Sequence, residues 1–234
     1  MIRLGVTGTD TGVGKTVIAV ALVALLRRRG MRVAAMKPVE TGVRPGAPTD
    51  AALLRAAAGG ADPLEDVCPV TYTEPLAPLV AGQRAGRPVD LKALDAAFGR
   101  LAAEHDAIIV EGAGGLLVPL TEQTSYAELF ARWRLGLVVV APNRLGAINF
   151  VLLTIQAARA AELRIRGVVL NASSGAPPDF AAQTNAATLV HLLRDIPVFS
   201  WPWLTDLSDN ALAQQAERTG LLSAEHLNTM ERTT

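Results

Sequence analysis

Cys68 is the only cysteine in 234 residues, which excludes an internal disulfide framework. Histidine is scarce as well. His105, His191 and His226 are scattered without ligand-like spacing, so no zinc site is expected. Neither sign of charge is in excess, with 22 basic and 22 acidic residues. A nucleic-acid surface or an anionic membrane demands a basic surplus, and neither partner is expected. No apolar run approaches the roughly 18 residues of a membrane span. The amino terminus enters an apolar strand without the basic, apolar and small-residue pattern of a signal peptide, so a cytoplasmic location is the expectation. There is no internal repeat and no low-complexity block. Half the residues are hydrophobic, the composition of an ordinary globular chain.

Lysine is the most informative shortage. Only Lys15, Lys37 and Lys92 are lysines among the 22 basic residues, so the chain chooses arginine where it merely needs positive charge. Lys92 falls in a surface helix pattern. Lys15 and Lys37 both follow apolar strands directly, in turns that carry glycine or proline. A compact ammonium directs a single charge into a crowded phosphate site in a way that a planar guanidinium does not.

What is present alternates. Short apolar runs rich in β-branched residues recur at 3–7, 33–36, 107–110, 135–141 and 166–170, as strands buried on both faces do. Helical patterns lie at about 15–29, 50–58, 90–104, 147–161 and 179–194, with Thr49, Asp90 and Pro178 as starting residues. Strand alternating with helix predicts an α/β fold: one doubly wound, mainly parallel sheet with helices on both faces. One domain over residues 1–219 and a polar tail over 220–234 are expected. The Pro- and Gly-rich stretch 59–89 reads as an irregular excursion, a lid or an interface arm.

Ligands of an open parallel sheet sit beyond the carboxyl ends of its strands, and the chemically suggestive residues follow the apolar runs. The first run enters Gly8-Thr9-Asp10-Thr11-Gly12-Val13-Gly14-Lys15-Thr16 and then an apolar helix. This is a phosphate loop in its proper setting, although the strict pattern places its first glycine where this chain has Thr9. Converging amides and a helix amino terminus would receive phosphates. Lys15 would neutralise the β and γ groups, and the Thr16 hydroxyl would ligate Mg²⁺. The fold expected is therefore the three-layer α/β/α arrangement of P-loop NTPases.

The second run ends in Lys37-Pro38-Val39-Glu40-Thr41-Gly42, where Pro38 forces Lys37 into an extended conformation. A lysine there is either a functional cation or a solvated charge. Glu111 ends the third run and precedes Gly112-Ala113-Gly114-Gly115, the position of a Mg²⁺ acid or of a turn-capping residue. Asp50 at a helix start reads as a cap or as a second metal oxygen beside Thr16. The helix start at Gly146-Ala147-Ile148-Asn149 offers amides to an anion or is an ordinary start. Asn171 is placed for a nucleobase edge or for a turn, and Phe199–Leu204 walls a base pocket or packs in the core.

Taken together, GTDTGVGKT, KPVETG, TDAALL, VEGAGGLLVPL, RLGAIN and VVLN occur in an order and spacing that resembles the dethiobiotin synthetases, over about residues 3–204. The resemblance implies an ATP-dependent cyclo-ligase of biotin biosynthesis. Carbon dioxide adds to 7,8-diaminononanoate as a carbamate, ATP phosphorylates it, and the second amine closes the ureido ring. It also implies that Lys15 and Lys37 act on the transferring phosphoryl group, with Thr11 beside them and Thr41 on the diamine or carbamate. Thr16, Asp50 and Glu111 would hold Mg²⁺. Gly12, Val13, Gly14, Val17, Gly112, Ala113, Gly114, Asn171, Pro202, Trp203 and Leu204 would line the nucleotide site. A homodimer is implied, with Gly146, Ala147, Ile148 and Asn149 of the partner subunit meeting the substrate carboxylate.

Two departures fall at that carboxylate end. Phe150 stands where the family commonly has histidine, and no tyrosine lies in 179–194, since the only two are Tyr72 and Tyr126. The alternatives from other classes are a related amidoligase and a partitioning-type switch ATPase. The first lacks an evident nucleophilic cysteine here. The second typically carries an extra lysine early in its phosphate loop, and this loop has only Lys15.

Overall fold

The structure, a computed structural model, describes residues 1–172 and 174–222. The chain runs β1 (Ile2–Gly8), α1 (Lys15–Arg28), β2 (Val33–Met36), β3 (Val39–Thr41), α2 (Asp50–Ala57), α3 (Leu64–Val67), β4 (Val70–Tyr72), α4 (Pro78–Arg84) and α5 (Leu91–Glu104). It continues through β5 (Ala107–Gly115), α6 (Tyr126–Arg132), β6 (Gly136–Pro142), α7 (Ala147–Ala160), β7 (Arg164–Asn171), α8 (Phe180–Leu193), β8 (Val198–Trp201) and α9 (Asp209–Arg218).

Six strands form one sheet in the order β2-β5-β1-β6-β7-β8, every neighbouring pair parallel. The central strands are buried on both faces because helices cover both. One apolar layer joins the sheet to α1, α2 and α9, through residues such as Leu22, Leu54 and Leu212. The other joins it to α5, α6, α7 and α8, through Phe98, Phe130, Ile155 and Leu189. The doubly wound reading of the apolar runs is what the structure shows. With β1 between β5 and β6, the loop that follows β1 opens at the middle of the sheet's carboxyl edge, the location where such sheets bind ligands.

Several local expectations change. The stretch 59–89 contains α3, β4 and α4, and β4 pairs in parallel with β3 from Val39↔Val70 to Thr41↔Tyr72. Tyr72, Ala81 and Val89 belong to the core, and the Tyr72 hydroxyl donates to the Arg87 carbonyl at 2.7 Å. It is a packed part of the sheet's flank rather than a free arm. Elements this short carry too few residues for a periodicity to be read.

The helix expected from Pro178 is capped instead by Asp179, whose side chain accepts from Ala182 N at 2.6 Å. Two helices went unanticipated. α6 opens on a Ser125–Glu128 capping box, a signal present in the sequence, and α9 opens on Ser208. Of the tail expected from Gly220, the first two leucines are packed. Leu221 and Leu222 are buried in the layer that contains α1, and Arg29 donates to the Leu222 carbonyl at 2.7 Å. Residues 223–234 of that expectation lie outside the described residues. No helix among the described residues is long and apolar enough to cross a membrane.

Gly5 in the central strand leaves room for the Phe130 ring, and a Cβ added there would sit 2.9 Å from Phe130 Cδ2. Phe130 is fully buried and has nowhere to retreat. Gly5→Ala is therefore expected to cost about 1–3 kcal/mol of unfolding free energy, read from urea denaturation. A midpoint equal to the wild type's would show that the two layers are looser than the structure depicts.

Candidate active site

The loop between β1 and α1 is shaped by close approaches. Gly12 and Gly14 have φ of 68° and 95°, a region that residues with a Cβ seldom adopt. A Cβ on Gly8 would lie 2.6 Å from the Asp10 carbonyl oxygen and 3.1 Å from Lys15 Nζ. The loop curls so tightly over Gly8 that a side chain is excluded there, which accounts for a glycine one position earlier than the strict pattern has it. Lys15 Nζ donates to the Asp10 carbonyl at 3.0 Å. Its pKa lies below the ordinary lysine value, because burial and the nearby Lys37 outweigh Glu111, Asp50 and Asp10.

Strand register makes the central contact. Met36 is paired with Val110, so the residues that follow, Lys37 and Glu111, emerge side by side. Lys37 Nζ donates to Glu111 Oε1 at 2.6 Å and to Asp50 Oδ2 at 2.9 Å, and lies 3.4 Å from the Gly112 carbonyl. The Thr16 hydroxyl donates to the same Glu111 Oε1 at 3.0 Å. Burial alone would lower the Lys37 pKa, but the two carboxylates overcome it and hold the ammonium above its ordinary value. Asp50 is likewise held down, against burial, by Lys37, Thr16 and Lys15. Burial pushes Glu111 up and Lys37 opposes the push. Glu111 is entirely buried, inside β5 rather than at the strand end expected for it, and among the described residues its Oε2 has no hydrogen-bond partner.

Asp50 is held from behind by a residue that sequence reasoning passed over. Glu40, buried on β3, accepts from Asp50 N at 2.7 Å with Oε1 and from Ala51 N at 3.1 Å with Oε2. Thr49 takes the Ala52 amide through its side chain and the Leu53 amide through its carbonyl. All four amides of the first turn of α2 are thus satisfied. Thr49 and Glu40 do the capping, which leaves the Asp50 carboxylate for Lys37 and Thr16. A glutamate in a buried strand, ten residues before a helix start, was the available signal.

The oxygens of Thr16, Asp50 and Glu111 make a hard-donor set of the kind that holds Mg²⁺, and the unpartnered buried Oε2 of Glu111 is an acceptor with nothing else to satisfy it. The set fits the ion. Gly112, Ala113 and Gly114 continue β5 past Glu111, with Gly114 at φ 70°.

Other expected residues lie elsewhere on the same edge. The Asn171 amide donates to the Val13 carbonyl at 2.9 Å, and a Cβ on Gly14 would collide with that amide, so Asn171 braces the phosphate loop. Val17 packs partly buried against the α1 layer. The segment after β8 divides: Trp201 is in the core, Leu204 packs against it, and Pro202 and Trp203 are exposed, with Trp203 lying over Gly175.

Thr41 ends β3 and Thr11 is exposed in the loop; its amide is bonded to Asp10 Oδ1 at 2.7 Å. Gly146 is the left-handed start of α7, without a side-chain cap, followed by buried Ala147, half-buried Ile148 and exposed Asn149. Among the described residues no hydrogen bond joins Thr11, Thr41 or 146–149 to the Lys37 cluster. The loop before α7 is held by Asn185, a buried residue of α8 that was not anticipated. It donates to Asn143 Oδ1 at 3.0 Å and to the Arg144 carbonyl at 3.1 Å. Cys68 is buried, and its thiol pKa is pushed up to about 12 by that burial, so it has no nucleophile's character.

A family profile described as an AAA domain matches residues 3–211. The ATP-dependent dethiobiotin synthetase BioD of Anaeromyxobacter dehalogenans is 45% identical over 90% of this chain and 94% of its own length. That of Aquifex aeolicus is 37% identical over 88% of this chain and 90% of its own. The chain belongs to the dethiobiotin synthetase family. Solved structures share the fold alone. The septum site-determining protein MinD of Pyrococcus horikoshii, complexed with Mg-ADP, superposes with a TM-score of 0.53 at 17% identity, covering 97% of this chain and 99% of that one. An apo McdA superposes at 0.52 with 16% identity, covering 99% and 98%. Membership of the dethiobiotin synthetase family, and not of the partitioning ATPases, is therefore what the relatives support.

Because Glu40 supplies two charge-assisted caps in a buried setting, Glu40→Ala is expected to lower stability by about 2 kcal/mol in urea unfolding. Glu40→Gln, which keeps one acceptor, should lose less. Equal midpoints for Glu40→Ala and wild type would mean that the α2 start does not depend on this carboxylate.

Proposed function

We propose that this chain forms the ureido ring of dethiobiotin from 7,8-diaminononanoate, carbon dioxide and ATP. The observation that carries the reading is the buried Lys37 ammonium, held at the mouth of the phosphate loop in a chain 45% identical to a dethiobiotin synthetase over nearly its whole length.

One amine of the substrate attacks carbon dioxide and loses a proton, giving a carbamate. A carbamate oxygen then attacks the γ-phosphorus of ATP. The bond to the β,γ-bridging oxygen breaks and ADP leaves, so the product is a carbamic-phosphoric anhydride. The second amine attacks the anhydride carbonyl, loses its proton, and expels phosphate as the ring closes.

Phosphoryl transfer of this kind is catalysed mainly by positioning and charge. The amides from Gly12 to Val17 receive the phosphates at the amino terminus of α1. Lys15, held in reserve on the Asp10 carbonyl, turns to the β and γ groups. Lys37 meets the negative charge that builds on the carbamate and the transferring phosphoryl oxygens. Thr11 supports that region and Thr41 contacts the diamine. Thr16, Asp50 and Glu111 would hold Mg²⁺, which would supply positive charge to neutralise the phosphates. Asn171 and Pro202–Leu204 flank the nucleotide base. Glu111 and Lys37 are kept from water by burial, while the Asp50 side chain remains 41% exposed.

The site is completed by a second copy of the chain. Exposed Leu145, Phe150 and Leu153 form an apolar strip beside Asn149 at the start of α7, which favours a homodimer whose partner offers that helix start to the substrate carboxylate. Phe150 in that strip supplies no charge, so the uncapped amides of the first turn are left to meet the carboxylate. The enzyme is read as cytoplasmic.

The test is phosphate release from Mg-ATP and bicarbonate, with and without the diamine, together with mass detection of the cyclic urea. Turnover is expected only with the diamine. Lys37→Ala should lower kcat by about 10²- to 10³-fold, the scale for losing one group that stabilises transition-state charge. Phosphate release indifferent to the diamine would sink the ligase reading.

A further inference from the structure

We infer that Lys37 is a built-in counter-cation for the metal-binding oxygens: it competes with the divalent ion for Asp50 and Glu111, and its ammonium leaves them for the transferring phosphoryl group only when metal-nucleotide enters. The inference rests on the assignment of Thr16, Asp50 and Glu111 as the metal's oxygens and deepens it, because those three side chains are the ones gathered around the Lys37 ammonium.

Three observations carry it. The first is identity of ligands. Lys37 Nζ is 2.6 Å from Glu111 Oε1 and 2.9 Å from Asp50 Oδ2, while Thr16 donates to that same Glu111 oxygen at 3.0 Å. An ammonium and a divalent ion drawing on the same two carboxylates raise each other's energy by like-charge repulsion, strongly so where water is excluded. Glu111 is fully buried and Lys37 is 3% exposed, whereas the Asp50 side chain is 41% exposed, so the repulsion is strongest at Glu111.

The second is the surplus acceptor. Glu111 Oε2 has no partner, so the lysine leaves unsatisfied an oxygen that a multiply coordinating ion would take up.

The third is what can move. Glu111 lies within β5, paired with Val6 of the central strand. Asp50 is fixed because Glu40 holds its amide at 2.7 Å. The Lys37 backbone is fixed as well, since its amide donates to the Val67 carbonyl at 2.7 Å and Pro38 follows it. The backbones of both acids are held in place, and the four-carbon side chain of Lys37 has the reach to exchange position. Lys15, the other cation of the site, is engaged on the Asp10 carbonyl at 3.0 Å rather than on either acid.

The arrangement makes the reaction ordered. A lysine bound to two carboxylates is a poor partner for a phosphoryl group, and the same lysine released beside bound metal-nucleotide is a good one. Coupling release to entry keeps the strongest positive charge of the site neutralised until a phosphoryl group is present to use it.

The experiment measures Mn²⁺ binding to the full chain by the loss of the free-ion electron paramagnetic resonance signal, with neither nucleotide nor diamine present. Lys37→Met keeps the length of the side chain and removes the charge. It is expected to bind Mn²⁺ roughly tenfold or more tightly than wild type, as removal of a competing cation from an acid pair with one fully buried member requires. Lys37→Arg, which retains a cation, should not gain.

A second measurement stays on the wild-type protein. With only three lysines, ¹⁵N-labelled lysine side chains give few signals, and substitution of Lys15 or Lys92 assigns the one from Lys37. That signal should shift on addition of Mg²⁺ with a non-hydrolysable ATP analogue, and stay in place with the analogue alone. Unchanged or weaker Mn²⁺ binding by folded Lys37→Met, or a Lys37 signal indifferent to saturating metal-nucleotide, overturns the inference. Should Lys37→Met not fold, the wild-type signal decides alone. Neither readout involves the diamine or turnover, so failure of ring closure in the activity assay would be seen separately.

Discussion

A buried ammonium is tolerable only beside its counter-charges, and the contact of Lys37 with Glu111 and Asp50 governs how the rest of the carboxyl edge is built. Lys15 and Lys37 face Glu111 and Asp50, so two positive charges meet two negative ones and the cluster is balanced. Four elements deliver the members: Lys15 and Thr16 by α1, Lys37 directly after β2, Asp50 by the start of α2, and Glu111 by β5. The cluster exists only while β1, β2 and β5 keep their parallel register and while Glu40 keeps α2 docked. Removing one partner would leave an uncompensated buried charge, which costs more than the intact pair contributes. Such a cluster specifies an arrangement more than it adds stability.

The scarcity of lysine fits this economy of position. Arginine serves the surface, as in the exposed pairs of Arg32 with Asp106 and of Arg132 with Asp95, where a wide planar group and solvent screening are compatible. Between Glu111 and Asp50 there is room for one compact charge. The glycines of the phosphate loop answer the same demand for space. Gly8 lets the Asp10 carbonyl and Lys15 close over it, and Gly14 leaves room for the Asn171 amide that steadies the loop. Asn171 thereby holds the shape of the loop through its bond to the Val13 carbonyl.

Much of this was legible in the residues. Continuous apolar runs separated by helical patterns indicated a parallel sheet covered on both faces, and the Gly-Lys-Thr turn after the first run indicated where phosphates go. Lys37 and Glu111 stood out as charged residues directly after buried strands. What escaped was local. The pieces of 59–89 and the strand at 198–201 are too short to show a period, and the small helices α6 and α9 had only their caps to announce them. Glu40 and Asn185 resembled any polar residue in an apolar stretch, because a residue that satisfies another element's amides or carbonyls has no pattern of its own along the chain.

The sequence by itself determined the fold class, the phosphate loop and the two lysines that follow buried strands, because those depend on periodicity and on residue type at short spacing. Tertiary structure alone decided which acids those lysines meet. Glu111 lies 74 residues beyond Lys37 and reaches it through the register of β2 against β5. Asp50 becomes a ligand rather than a cap because Glu40 and Thr49 take over the capping. Both outcomes arise from pairing between distant strands and helices, and distance along the chain holds no trace of them.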